Sequence, residues 1–312
     1  MCPLGETTAR IATGPKVSIG LPVFNGECYL SAAIDSLLAQ TLEDFELIVC
    51  DNASTDGTED ICRRYASRDR RIRYARHARN IGAAQNFNAA FRLGTAPYVK
   101  WAAYDDLVHP TFLERCVAVL ERDHSVVLAF ARTQVIGPDG EYVVDSPGSL
   151  HLMQARPSDR LRHLFANLQL CDAQYGVIRR DVLGRTALFR NFVGADVCLL
   201  AELSLYGKFF ELPDYLFSRR LHPAASRELN ARDLAAFFDA GAIAGVTLRE
   251  WRHLFAMFRT VLRAPVPGVE KALAFGLVAR RAVWMRDVLG RELLQGTRQL
   301  VHRPRTEHGE TR

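Results

Sequence analysis

No G-x-G-x-x-G follows the first apolar run and no G-x-x-x-x-G-K-[ST] occurs anywhere in the 312 residues, which excludes the common dinucleotide and P-loop fingerprints. Any bound phosphate must be held in another way. No C-x-x-C pair links the seven cysteines, at positions 2, 28, 50, 62, 116, 171 and 198, and several lie inside apolar runs. That pattern reads as buried thiols in a reducing compartment. There is no uninterrupted apolar stretch of about 18 residues, and no basic segment leads into an apolar one near residue 1. The expectation is a cytoplasmic protein that reaches a membrane, if at all, from its inner face. Lysine is scarce, with four residues, so the formal charge of +5 is carried by arginine spread among 35 acidic residues. This suits a phosphate-bearing ligand or an anionic membrane surface, and no nucleic-acid partner is expected. Internal repeats and long low-complexity segments are also missing.

What is present is an ordinary globular composition, 48% hydrophobic and 24% charged, with a clear alternation of strands and helices. Val17, Ile19 and Leu21 alternate as a strand ended by Pro22. The loop Val23-Phe24-Asn25-Gly26 then opens a helix carrying Leu30, Ala33, Ile34 and Leu37 on one face. Phe45 to Cys50 is almost continuously apolar, as a strand covered on both faces should be. It runs into Asp51-Asn52-Ala53-Ser54-Thr55-Asp56-Gly57-Thr58, a polar loop at the carboxyl end of a strand, where open α/β sheets bind ligands. Eight arginines lie between Arg63 and Arg79 around the short strand Ile72 to Ala75, and Arg76 and Arg79, after that strand, are the ones placed to approach a diphosphate. Asn80-Ile81-Gly82 leads into a helix with Phe87, Ala90 and Phe91, and Tyr98 to Ala102 forms the next strand. The pattern predicts an α/β, doubly wound, mostly parallel sheet with right-handed crossovers.

The stretch V-K-W-A-A-Y-D-D-L-V-H-P, Val99 to Pro110, delivers Asp105 and Asp106 to a strand end. Oxygen donors there suit a hard divalent cation; a solvated acidic turn, with Asp106 near a helix N-terminus, is the plainer reading. Further on, Ser158 is placed to cap a helix bearing Leu161, Leu164, Phe165 and Leu168, and Asp196 starts a helix with Leu199, Leu200 and Leu203. From Leu229 the chain reads as helical and basic. Trp251, Leu254, Phe258 and Val261 recur at helical steps, with Arg249, Arg252, Arg259 and Arg263 on other faces. Such a helix either packs on the preceding domain or lies on an anionic membrane.

V-S-I-G-L-P-V-F-N-G, L-I-V-C-D-N-A-S-T-D-G-T, R-N-I-G-A-A-Q-N-F-N-A-A-F and the Asp-Asp strand end, in that order, resemble the successive blocks of a family 2 glycosyltransferase. The segment from Gly194 to His222 is similar to the acceptor-side block of the same family. The resemblance implies a GT-A fold spanning 16–228, with a nucleotide-sugar half (16–110) and an acceptor half (111–228). It is preceded by a lead-in (1–15) and followed by a helical appendage (229–302) and a polar tail (303–312). It further implies inverting transfer from a UDP- or dTDP-sugar to a saccharide or lipid-linked acceptor, with Mn2+ or Mg2+, in polysaccharide or glycoconjugate synthesis. Pro22, Phe24 and Asn25 would lie by the nucleoside, Asp51 would read the base, and Arg79, Gly82 and Arg220 would serve the donor. Asp105 would face the ribose and first phosphate, Asp105, Asp106 and His222 the metal, and Asp196 would be the catalytic base. Ala103 stands where the family's commonest pattern has another Asp, so a catalytically inactive nucleotide- or glycan-binding relative is the alternative. A nucleotidyltransferase would need a glycine- and cation-rich first loop, which Val23-Phe24-Asn25-Gly26 does not supply.

Overall fold

The computed structural model describes residues 14–223, 225, 230–238 and 248–301. Most of the expected lead-in, the tail from 303 and the boundary at 228/229 lie outside the described residues. The first half is built from β1 (Val17–Val23), α1 (Leu30–Leu38), β2 (Phe45–Asp51), α2 (Thr58–Arg68), β3 (Ile72–Arg76), α3 (Ala83–Leu93) and β4 (Tyr98–Trp101). A two-residue β5 (Leu107–Val108), α4 (Phe112–Arg122), β6 (Val126–Ile136) and β7 (Tyr142–Asp145) follow. Next come α5 (Pro157–Asn167), a 3-10 turn (Asp172–Tyr175), β8 (Val177–Arg179), the single turn α6 (Arg180–Leu183), α7 (Ala195–Tyr206) and β9 (Lys208–Arg220). Four helices end the described chain: α8 (Ala231–Phe238), α9 (Arg249–Arg263), α10 (Gly268–Trp284) and α11 (Arg286–Val301).

One sheet runs in the order β3-β2-β1-β4-β8-β6-β9-β5, with β7 added to β6. Strands β3, β2, β1 and β4 are parallel, as their alternation with helices requires. All residues of β1 and β2 are buried, matching their near-continuous apolar sequence. At Gly20 a Cβ would stand 2.8 Å from the Cβ of Ala90, so this glycine is what lets α3 lie directly on β1. Beyond β4 the sheet is mixed: β8 is antiparallel to β4 and β6, whereas β6 and β9 are parallel.

Periodicity alone does not predict β9, because Pro213 and Asp214 interrupt it. The structure absorbs both residues in a bulge, since Ala131 pairs with Leu212 and the next residue, Arg132, pairs with Tyr215. The expected cap at Ser158 is also corrected. Helix α5 begins one residue earlier, with Pro157 in its first turn, and the Ser158 N–H donates to Glu270 Oε2 on α10 at 2.9 Å. A carboxylate 112 residues away therefore satisfies the helix end.

Two large apolar clusters flank the sheet. One joins β1, β2, α1 and α4, through residues such as Ile19, Ile34, Leu37, Leu47 and Leu113. The other joins β6, β8, α5 and α7 to the C-terminal helices, with Leu199 and Leu203 packed in the same cluster as Met257, Val261, Val278 and Leu289. At roughly 1.5–3 kcal/mol for each such side chain buried, the C-terminal helices are fixed to β6, β8, α5 and α7 by a common core.

Candidate active site

The site begins with strand pairing. β5 lies antiparallel to β9 with Leu107 opposite Ser218, so the two residues before β5 meet the residues that end β9 and follow it. Asp105 Oδ2 stands 2.9 Å from His222 Nε2, and Asp106 Oδ1 accepts the Arg220 N–H at 2.9 Å. The Arg220 guanidinium is buried: Nε donates to the Asp105 carbonyl at 2.9 Å and Nη1 to the carbonyls of Gly137 and Pro138 at 3.1 and 2.7 Å. It also lies over the Tyr29 ring, 4.8 Å from the centroid. Arg220 thus ties the Asp105–Asp106 turn to the turn between β6 and β7.

Burial, and then the adjacent Asp105 carboxylate, push the Asp106 carboxyl well above the usual carboxylate range. Two neighbouring carboxylates, one of them shielded from water, form a site that a cation would relieve.

Two cavities open on this cluster and share Ala83, Phe87, Ala103, Asp105, Tyr175 and Phe237. The larger, about 460 Å³, is lined by Pro22, Phe24, Asn25, Asn52 and Asn80, at the carboxyl ends of β1 and β2. The other, about 300 Å³, holds Asp106, Asp172, Asp196, Arg219 and Arg220. Asp105 lies on the boundary. Asp196 occupies the first turn of α7 behind Gly194, whose φ of +90° is a left-handed conformation that glycine takes without strain. Its Oδ1 accepts the Val197 N–H at 2.8 Å, and the Cys171 thiol, pushed up by burial and by Asp196, packs beside it.

Other expected residues sit around the cavities rather than in their walls. Asp51 is fully buried, accepting from Ser54 N–H, Tyr74 OH and Arg76 Nε, and it is the next residue, Asn52, that lines the larger cavity. Arg79 is exposed and lines neither cavity, while its neighbour Asn80 does. Gly82, with φ +83°, precedes the first residue of α3. Arg76, bonded to Asp51 and Glu59, is held in an ion-pair network away from the cleft.

Sequence reasoning missed Arg219 and Asp172, whose Nη1 and Oδ1 pair at 2.7 Å inside the smaller cavity. It also missed Gln174, whose buried Oε1 has no partner among the described residues. Asp172 and Gln174 lie on the 3-10 turn, which has no periodic signal to read.

Donor spacing bears on whether a divalent ion fits. Two cis ligands about 2.1 Å from an octahedral ion lie about 3.0 Å apart, close to the 2.9 Å between Asp105 Oδ2 and His222 Nε2. Asp106 is turned under the Arg220 backbone, and among the described residues no group of three or more His, Cys, Asp or Glu side chains converges on one point. In this structure Asp105 and His222 are hydrogen-bonded to each other, so at most these two side chains could contribute to an ion's shell, and water or phosphate oxygens would have to supply the rest.

A parallel α/β half with its cavity across the strand ends, continued by a mixed half carrying the second cavity, is the GT-A arrangement. Residues 18–186, just over half of the chain, match the sequence profile of glycosyl transferase family 2. The chain belongs to that family. The uncharacterized glycosyltransferase RP339 of Rickettsia prowazekii is 33% identical over 239 residues, 72% of this chain and 70% of that protein. EpsE of Bacillus subtilis, a putative glycosyltransferase, is 39% identical over 111 residues, 35% of this chain and 40% of EpsE, so the match spans less than half of that relative. The fold is similar to that of S. aureus TarS 1-349 in complex with UDP-GlcNAc, with a TM-score of 0.62 at 17% identity, covering 86% of this chain and 72% of that one.

Proposed function

We propose that the protein transfers a sugar from a nucleotide-sugar, UDP- or dTDP-linked, to a hydroxyl of a saccharide or lipid-linked acceptor, with inversion. The observation that carries this is the meeting of two cavities at Asp105, one lined by asparagines and Phe24 beneath the strand ends, the other holding Asp196. The nucleoside would lie against Pro22, Phe24 and Asn25, with the amides of Asn52 and Asn80 toward the base. Asp51 supports this wall through its bonds to Ser54 and Arg76. Asp105 and His222 would hold Mn2+ or Mg2+, which when bound supplies positive charge to the departing diphosphate. Arg219 and Arg220 add fixed positive charge on the same side.

Asp196 would take the proton from the attacking hydroxyl, a role that contributes ~10²–10⁴-fold. Gln174 Oε1, buried and without a protein donor among the described residues, is a natural acceptor for a second hydroxyl of the same sugar. A single base and direct displacement give inversion. The test is to incubate the protein with a panel of nucleotide-sugars, with and without Mn2+, and to measure release of nucleoside diphosphate together with Tm. A donor that both raises Tm and is turned over supports the proposal. Binding without turnover across acceptors would favour the inactive relative, and no Tm shift with any nucleotide would overturn the transferase and leave the relative only as a glycan binder.

A further inference from the structure

Helix α10 carries apolar residues on opposite faces. Ala274 and Val278 are buried against the rest of the molecule, yet on the other side Val269 is 71%, Val283 61% and Trp284 89% exposed. On α11, Leu294 is also 62% exposed. A helix that is apolar on both sides is normally covered on both, and a patch of this kind marks a contact surface.

Charge identifies what it contacts. Residues 248–301 contain ten Lys or Arg and four Asp or Glu, so this segment carries +6 while the rest of the chain, from a total of +5, carries −1. Two of the four acids are turned inward. Glu270 accepts from Ser158 N–H and Arg156, and Glu292 accepts the N–H groups of Glu250 and Trp251 at the start of α9. Between α5 and α10 an apolar groove of about 380 Å³, floored by Phe165 and Leu277, is flanked by Arg162, Arg280, Arg281 and Trp284. The Arg281 guanidinium lies over the Phe165 ring at 5.5 Å. A second copy of the chain on this face would bring arginine clusters against their own images, which is unfavourable in an isologous contact. Exposed tryptophan and valine framed by arginines are instead the composition of a surface that meets lipid headgroups.

We propose that the α10–α11 face docks on an anionic phospholipid bilayer, with Val283 and Trp284 entering the headgroup region and the arginines meeting lipid phosphates. It would lie on the membrane and not cross it, since among the described residues no helix is long and apolar enough to span.

The experiment is co-sedimentation of the full chain with vesicles of phosphatidylcholine alone and of phosphatidylcholine with phosphatidylglycerol, at low and high salt, with light scattering of the free protein in parallel. Binding to the anionic vesicles alone, weakened by salt, is expected. Both V283S/W284S and R162E/R280E should lower it by roughly tenfold or more, while nucleotide-sugar hydrolysis in solution stays unchanged. Trp284 is also a reporter, and its emission should shift to the blue on binding. Absence of binding to anionic vesicles, or binding that both double variants retain, overturns the proposal. So does a concentration-dependent dimer that V283S/W284S dissociates, which would assign the face to a second copy. Loss of folding in a variant is recognised by its Tm, and single substitutions at the same exposed positions then carry the comparison.

Discussion

Asp105 Oδ2 and His222 Nε2 stand 2.9 Å apart although 117 residues separate them in the chain. The pairing of β5 with β9 creates this contact, and it makes the two side chains a unit. Replacing either should weaken any divalent ion they share. We expect His222→Ala and Asp105→Asn to raise the Mn2+ concentration for half-maximal activity by at least about tenfold. Titration of activity against Mn2+, and calorimetry of the ion itself, read the effect; an unchanged midpoint in His222→Ala removes that residue from the ion.

Asp196→Asn keeps the shape of the first turn of α7 and removes the proton acceptor that the proposed reaction requires. The expected result is a fall in kcat of ~10²–10⁴ with donor affinity near that of the wild type. Turnover at the wild-type rate would show that the base lies elsewhere.

Asp106 gives a pH prediction whose sign follows from its raised folded value. The protonated group is the one the fold favours, so its stabilising contribution is complete below the unfolded value near ~3.9 and is lost as pH rises through the higher folded value. Above the unfolded value the buried carboxyl therefore costs stability in metal-free protein. Asp106→Asn should raise Tm in EDTA, with a gap from wild type that widens as pH rises above the unfolded value of about 3.9. A gap independent of pH contradicts the account.

Lys100 is wholly buried, with Nζ 4.5 Å from the centre of the Phe112 ring and donating to the Tyr175 carbonyl. Burial lowers it to about 8. A depressed lysine costs stability while charged, so wild type should gain on Lys100→Met as pH rises from about 8 toward 10, and lose that gain as pH falls back through about 8. Urea unfolding of both proteins at the two ends of this range measures the difference.

Arg220→Ala separates support from ligand contact. The Asp105, Gly137 and Pro138 carbonyls each lose a donor, and a buried unsatisfied acceptor costs about 1–3 kcal/mol, so Tm should fall even without nucleotide. If Tm holds and only affinity for nucleoside diphosphate drops, Arg220 acts on the donor and not on the turn.

The parallel half was legible because each strand and helix announces itself locally: alternation at Val17, Ile19 and Leu21, a continuous apolar run from Phe45, and helical spacing of Leu30, Ala33, Ile34 and Leu37. Asp105 and Asp106 drew attention by their position at a strand end, and Asp196 through the resemblance of the block from Gly194 to His222. What stayed hidden depends on contacts between distant parts of the chain. Strand β9 disguises itself with Pro213, the cap of α5 comes from Glu270, and the exchange of Asp51 for Asn52 in the cavity wall depends on which way one strand-end side chain points. The Arg219–Asp172 pair joins a strand end to an irregular turn, and no spacing in the sequence reveals it.

The apolar cluster shared by α7 and the C-terminal helices also sets an order of assembly. The cluster around β1 and β2 draws on nothing later than Phe217, whereas the other needs Leu254, Val278 and Leu289. On a ribosome adding ~5–20 residues per second, the second cluster would wait roughly 4–14 s after the first is complete before its last pieces emerge. During that interval Leu199, Leu203 and their neighbours lack the cover that α9, α10 and α11 later give, and that side of the nascent chain is at its most exposed to chaperones and to misassembly.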